Sequence, residues 1–86
     1  MNINPKISVV IVSWNVAGSL QRCLESVFTA NYPHLEVFVV DNASTDDSAK
    51  VAKSFSGVTL VQNTKNLGFP RAVNIGLRQS RGDYLL

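Results

Sequence analysis

The 86-residue chain predicts an α/β fold: a three-layer α/β/α domain around a parallel sheet. Three observations carry this. Short apolar runs rich in β-branched residues recur along the chain. Each is followed by a segment with helical spacing of apolar positions. Polar turns separate the two kinds of segment. Strands that read as continuous apolar runs are buried on both faces, and strand–helix alternation gives parallel strands with right-handed crossovers.

The first run, Ile7-Ser8-Val9-Val10-Ile11-Val12, is nearly all β-branched and reads as a central strand ended by Ser13-Trp14-Asn15. Leu20, Cys23, Leu24, Val27 and Phe28 then follow at i, i+3, i+4, i+7 and i+8, one face of an amphipathic helix. Asn15 or Ser19 is its candidate cap, and Asn31-Tyr32-Pro33 ends it. Cys23 on the apolar face reads as a small hydrophobe, and His34 beside Pro33 as a surface residue.

Leu35 to Val40 is the second strand. Ser44, with Asp47 three residues on, resembles a capping box opening a helix from Asp46 to about Phe55. Val58 to Val61 is the third strand and Gln62 to Gly68 a polar loop. Pro70 suits the first turn of a third helix reaching about Ser80, with Arg78 and Arg81 near its negative end. Asp83 to Leu86 begins a fourth strand. The expected sheet order is 3-2-1-4, in one domain spanning residues 1–86.

Composition excludes several function classes. The net charge is +2 and the basic residues are scattered, so no basic patch points to nucleic acid. A single cysteine excludes an internal disulfide framework. Ile7–Val12 is too short for a signal core or a membrane span, so a cytoplasmic location is expected. The turn after Val12 lacks a dinucleotide fingerprint, and no P-loop, H-E-x-x-H or C-x-x-C is present.

Two stretches carry chemistry. In Val39-Val40-Asp41-Asn42-Ala43-Ser44-Thr45-Asp46 an acid stands at the carboxyl end of an apolar strand. Ligands of open α/β sheets bind at that end. A carboxylate there can accept hydrogen bonds from ring N–H or sugar hydroxyl groups. In Asn63-Thr64-Lys65-Asn66-Leu67-Gly68-Phe69-Pro70-Arg71-Ala72-Val73-Asn74, Gly68 points to a positive φ or a close backbone approach. Asn74 costs helix propensity at a mid-helix position. Lys65 and Arg71 flank a helix start that favours an anion.

These stretches, with Val9-Val10-Ile11-Val12-Ser13-Trp14-Asn15, Cys23-Leu24-Glu25-Ser26-Val27, Tyr32-Pro33 and Arg81-Gly82-Asp83-Tyr84-Leu85-Leu86 in this order, resemble the N-terminal part of a family 2 glycosyltransferase. Asn66-Leu67-Gly68-Phe69 resembles the bacterial rhamnosyltransferase-like members, which serve cell-surface polysaccharide synthesis. The resemblance implies a Rossmann-like GT-A fold and a UDP- or TDP-sugar donor. It implies that Val12, Ser13 and Asn15 line the base pocket and that Asp41 accepts from the pyrimidine N–H. Asn66, Gly68 and Arg71 would shape the wall near base and ribose, and Asn74 would sit in the helix framing the site.

Members of the family use Mg²⁺ or Mn²⁺ held by an Asp-x-Asp-type motif after the fourth strand. The 86 residues stop before that motif, so no cofactor, metal ligand or catalytic residue is assigned within them, and a donor-binding portion inactive alone is expected. Asp46, Asp47 and Asp83 are not taken for metal acids. The alternative is a non-catalytic α/β module that forms homo-oligomers through the sheet edge at Tyr84–Leu86. A receiver- or flavodoxin-like domain is disfavoured, because Ser13-Trp14-Asn15 brings neither an acidic cluster nor a phosphate loop.

Overall fold

The computed structural model describes residues 6–82 and 84–85. The element order is β1 (Ile7–Ser13), α1 (Ala17–Thr29), β2 (Leu35–Asp41), α2 (Ser48–Lys53), β3 (Val58–Gln62), α3 (Phe69–Gln79) and β4 (Tyr84–Leu85). All strand pairs are parallel, and the sheet runs β3-β2-β1-β4. Asp83 and Leu86, part of the expected fourth strand, lie outside the described residues.

Side chains alternate across each strand, so the two faces of the sheet have different partners. On one face Val9, Val37 and Val39 pack with Leu20 and Leu24 of α1 and Ala52 of α2. Phe28 of α1 and Phe55 after α2 stack at 5.7 Å between ring centroids and close this layer. On the other face α3 lies directly on β1. A Cβ built at Gly76 would come within 2.4 Å of Val10 Cγ1, so this approach depends on glycine. Asn74, by contrast, is exposed.

The helices depart from the sequence expectation at their ends. Helix α2 spans only Ser48–Lys53, shorter than Asp46 to Phe55. Ser44 does not cap it, and Asp47 occupies the N-cap position with no side-chain hydrogen bond. Neither Asn15 nor Ser19 caps α1, whose N-cap position is Val16. Its first free N–H groups are satisfied from across the fold instead. Val16 N donates to Ser48 Oγ at 3.1 Å and Ala17 N to Asp46 Oδ2 at 3.2 Å. Asp46 serves the starts of both helices, because it also accepts from Ser48 N, the first residue of α2. Cys23 is exposed rather than packed. The buried stripe of α1 is narrower than its apolar pattern: Leu20 and Leu24 fill it and leave Cys23 on the flank.

The amino end of the sheet is closed by a polar clasp. Glu36 Oε1 accepts from Ser8 Oγ and from Arg81 N, and Glu36 Oε2 pairs with Lys6 Nζ at 3.3 Å. Gly82 N donates to Ser8 Oγ at 2.8 Å, fastening the segment that leads into β4. Burial pushes the Glu36 carboxyl upward. The Arg81 amide, the Ser8 hydroxyl and Lys6 outweigh burial and hold it below its ordinary 4.5.

Gly76→Ala is expected to force α3 off Val10 and to cost about 1–3 kcal/mol, as overpacking of a tight contact does. Chemical denaturation of the variant checks this. A variant as stable as the parent would show that α3 is free to shift.

Candidate functional site

At the carboxyl end of the sheet, β1 and β2 finish level, with Ser13 paired to Asp41, and Asp41 to Gln62 of β3. Asp41 and Asn42 are adjacent, both are 2% exposed, and they turn to opposite sides of the sheet. Asp41 continues the row of Val37 and Val39 toward α1 and α2. Its Oδ1 accepts from Ser13 Oγ at 3.1 Å and from Ser44 Oγ at 2.6 Å, and its Oδ2 accepts from Ser44 N at 3.0 Å. A carboxylate offers about four acceptor positions, so three bonds leave Oδ2 with capacity for one more donor.

Asn15 holds the same turn from the β1 side. It stands at φ +50°, a left-handed conformation that Asn tolerates. Its N donates to Ser44 Oγ at 2.9 Å, and its Oδ1 accepts from Thr45 N at 2.8 Å and Asp46 N at 3.3 Å. Asp46 Oδ1 in turn accepts from Ser48 N at 2.9 Å and Ser48 Oγ at 2.6 Å. The Ser48 hydroxyl, against the opposing effect of desolvation and with help from the Ser48 and Ala17 amides, holds the Asp46 carboxyl below its ordinary 3.8. Ala43, between Asn42 and Ser44, sits at φ +63°. A residue with a Cβ rarely adopts that conformation, and strain of this kind clusters at functional sites.

Asn42 faces the α3 side. Its Oδ1 accepts from Asn63 Nδ2 at 2.9 Å and Leu67 N at 3.4 Å, while its Nδ2 donates to Gly68 O at 3.3 Å. Gly68 stands at φ +82°, as its place in the loop suggested. Asn66 Oδ1 accepts from Gly68 N at 2.8 Å and shapes the same corner.

The structure thus gathers Ser13, Asn15 and Asp41 on one side of the sheet end, while Val12, one residue before Ser13 in β1, alternates to the α3 side. It links Asn66 and Gly68 to them through Asn42. Arg71 and Asn74 stand apart. With Leu67, Ile75 and Arg78 they line an open concavity of about 290 Å³ on the flank of α3. Among the described residues no hydrogen bond joins them to the Asp41 cluster. Sequence reasoning did not single out Asn42, Ser44, Asn63 or Ser48 as site-building residues. Asn42 had a readable signal, a polar residue directly after Asp41 where the apolar run ends. The contacts of Ser44 with Asn15 and of Ser48 with Val16 cross about 30 residues and had no local signal. Trp14 and Phe69 are both exposed beside the sheet end, at 53% and 68%.

The described residues contain no group of three or more His, Cys, Asp or Glu able to hold a metal ion. Asp46, an acid close to the site, is already committed to Ser48 and Ala17. These side chains do not fit a divalent cation, and no step is derived through one. No described helix is long and apolar enough to cross a membrane.

A parallel sheet with helices on both faces and a polar turn after its central strands defines a nucleotide-binding-type α/β domain. The chain belongs to glycosyl transferase family 2, whose family model matches residues 8–86. It is 35% identical over 88 residues to glycosyltransferase GlyA of Streptococcus pneumoniae, covering 99% of this chain and 13% of that protein. Among solved structures it resembles the mannosyltransferase PcManGT of Pyrobaculum calidifontis, in complex with GDP-Man and Mn²⁺. The TM-score is 0.89 at 29% identity, over 98% of this chain and 27% of that one. It also resembles glucosyl-3-phosphoglycerate synthase of Mycobacterium tuberculosis, in complex with Mn²⁺, UDP and glucosyl-3-phosphoglycerate. There the TM-score is 0.76 at 27% identity, over 94% of this chain and 32% of that one. The chain therefore spans a third or less of the length of these relatives, and its fold class is the three-layer GT-A type they share.

Two outcomes are expected. Ala43→Gly relieves the left-handed strain and leaves the domain as stable or up to about 1 kcal/mol more stable, read by denaturant midpoint. Asp46, whose carboxyl is depressed, stabilises the fold above its ordinary 3.8 and loses that contribution as pH falls through its lowered value. The gap in denaturant midpoint between parent and Asp46→Ala should be open at neutral pH and close in acid.

Proposed function

We propose that these residues form the donor-binding half of a glycosyltransferase site, which holds the nucleoside diphosphate of a sugar donor for transfer to an acceptor hydroxyl. One observation carries the reading. Adjacent residues at the carboxyl end of β2, Asp41 and Asn42, organise both sequence stretches around one sheet end, where ligands of open α/β sheets bind. Family membership supports it, as do the GDP-Man and UDP in the two solved relatives.

In this reading Ser13 and Asn15 form one wall of the base pocket. The remaining acceptor position on Asp41 Oδ2 takes a ring N–H, which uracil, thymine and guanine all offer. Asn66 and Gly68 form the opposite wall, and Arg71 and Asn74 lie beyond it on the flank of α3. In the transfer the bond from the sugar's anomeric carbon to the diphosphate breaks. A bond to the acceptor oxygen forms, and the hydroxyl proton passes to a base. No described side chain is placed as that base, so the part assigned to these residues is donor binding, with transfer not expected from them alone.

The second reading is an interaction module that self-associates through β4. It is favoured by the place of β4 at the end of the sheet, paired to β1 through Tyr84 and Leu85. The far end of that edge, Leu86, lies outside the described residues.

Calorimetric titration with UDP, TDP and GDP, with and without Mn²⁺, tests the first reading. Binding is expected without metal. Asp41→Asn keeps the shape of the side chain and should weaken binding about tenfold, or about 1.4 kcal/mol. No binding of any nucleotide by well-folded protein would overturn the donor reading. Light scattering that finds dimers or larger species would then favour the module.

A further inference from the structure

We infer that Asn42 is a positioning residue: it ties the loop 63–68, and with it the start of α3, to the end of β2, and so fixes the wall that Asn66 and Gly68 form at the carboxyl end of the sheet. The inference rests on the donor-binding reading for its ligand, but its geometry stands alone. The Asn42 side chain is buried, and each of its polar atoms is used on the same loop. Oδ1 accepts from Asn63 Nδ2 and Leu67 N, and Nδ2 donates to Gly68 O. Its backbone N donates to Ser13 O at 2.9 Å, so β1, β2, β3 and the start of α3 meet at one residue.

The requirement for an amide is chemical. The site presents two N–H donors to one atom of the side chain and a carbonyl acceptor to the other. Only a group with one acceptor and one donor atom in this shape satisfies both. Aspartate has the same outline but no donor. It would set an acceptor oxygen against the Gly68 carbonyl, where a buried pair of acceptors is unfavourable. The rest of the loop is weakly held. Thr64, Lys65 and Asn66 are exposed, and Asn66 bonds within the loop. Besides Asn42, the loop is tied to the sheet by Asn63 N donating to Asp41 O at 2.9 Å, at the loop's first residue. Without Asn42, Leu67 and Gly68 lose their hydrogen bonds to the end of β2, and the packing of α3 is left to hold that segment.

The test compares Asn42→Asp with the parent and with Ser8→Ala. Ser8→Ala removes the two hydrogen bonds of the Ser8 hydroxyl, to Glu36 and from Gly82 N, at the opposite end of the sheet, outside the site. Three quantities are read: thermal midpoint, amide hydrogen exchange at Leu67 and Gly68, and UDP, TDP and GDP affinity by calorimetry. In Asn42→Asp the sheet amides are expected to stay protected. Exchange at Leu67 should speed up about tenfold, and nucleotide affinity should fall by a similar factor, the scale of one lost hydrogen bond plus an unpaired acceptor. Ser8→Ala should lower the thermal midpoint and leave affinity unchanged, which separates positioning from general stability. Unchanged exchange at Leu67 and Gly68 would overturn the inference. So would a loosened loop with full affinity. If the parent binds no nucleotide, the donor reading fails, and loop exchange alone decides whether Asn42 is the tie.

Discussion

Successive side chains leave a strand on opposite faces, and at the end of β2 that constraint sets two buried polar residues back to back. Asp41 collects Ser13 and Ser44 on the α1/α2 side, and Asn42 collects Asn63, Leu67 and Gly68 on the α3 side. Buried polar groups are costly unless bonded, and here each donor or acceptor has a partner. The loops at this end of the sheet are therefore ordered by hydrogen bonds, where the interior is ordered by apolar packing. Each turn is shaped by the strand end beneath it.

The same logic links the helices. The first turn of α1 lies far from Asp46 and Ser48 in sequence, yet those residues satisfy its free N–H groups. Helix α2 begins at Ser48, and Asp46 just before it bonds the first residues of both helices. A cap is usually local, so this exchange makes the start of one helix depend on the turn that opens the next. The turn is in turn held by Asn15 and by Asp41. The β1–α1 turn, the β2–α2 turn and the Asp41 carboxyl thus form one hydrogen-bonded unit, and the left-handed Asn15 and Ala43 are the conformational cost of closing it.

The opposite end of the sheet is built differently. Glu36 gathers Ser8, Lys6 and the Arg81 amide, and Gly82 fits where a Cβ would meet Ser8 and the Lys6 carbonyl. This clasp sets the direction in which the chain leaves α3 for β4. One end of the sheet is closed by a network around a single carboxyl, and the other presents the polar turns of the crevice. The division suits a domain that binds at the carboxyl ends of its strands.

Much of this was legible in the sequence. The apolar runs determined the strands because a strand buried on both faces needs apolar residues at every position. The helical stripe of Leu20 and Leu24 and the glycine at 68 were legible because periodicity and backbone freedom are local properties. Asp41 was legible because an acid that ends an apolar run must stand where the sheet meets solvent. Only the tertiary structure decided what the polar residues do. Ser44 reads locally as a helix cap, but its hydroxyl goes to Asp41; Cys23 reads as core, but the helix stripe leaves it outside. Arg71 and Asn74 lie close in sequence to Gly68, but the helix turns them onto a separate flank. The physical reason is range. Apolar patterning acts through area and is readable along the chain, whereas a hydrogen bond needs a particular atom within about 3 Å, and folding alone brings Ser13 to Asp41 and Asn15 to Ser44.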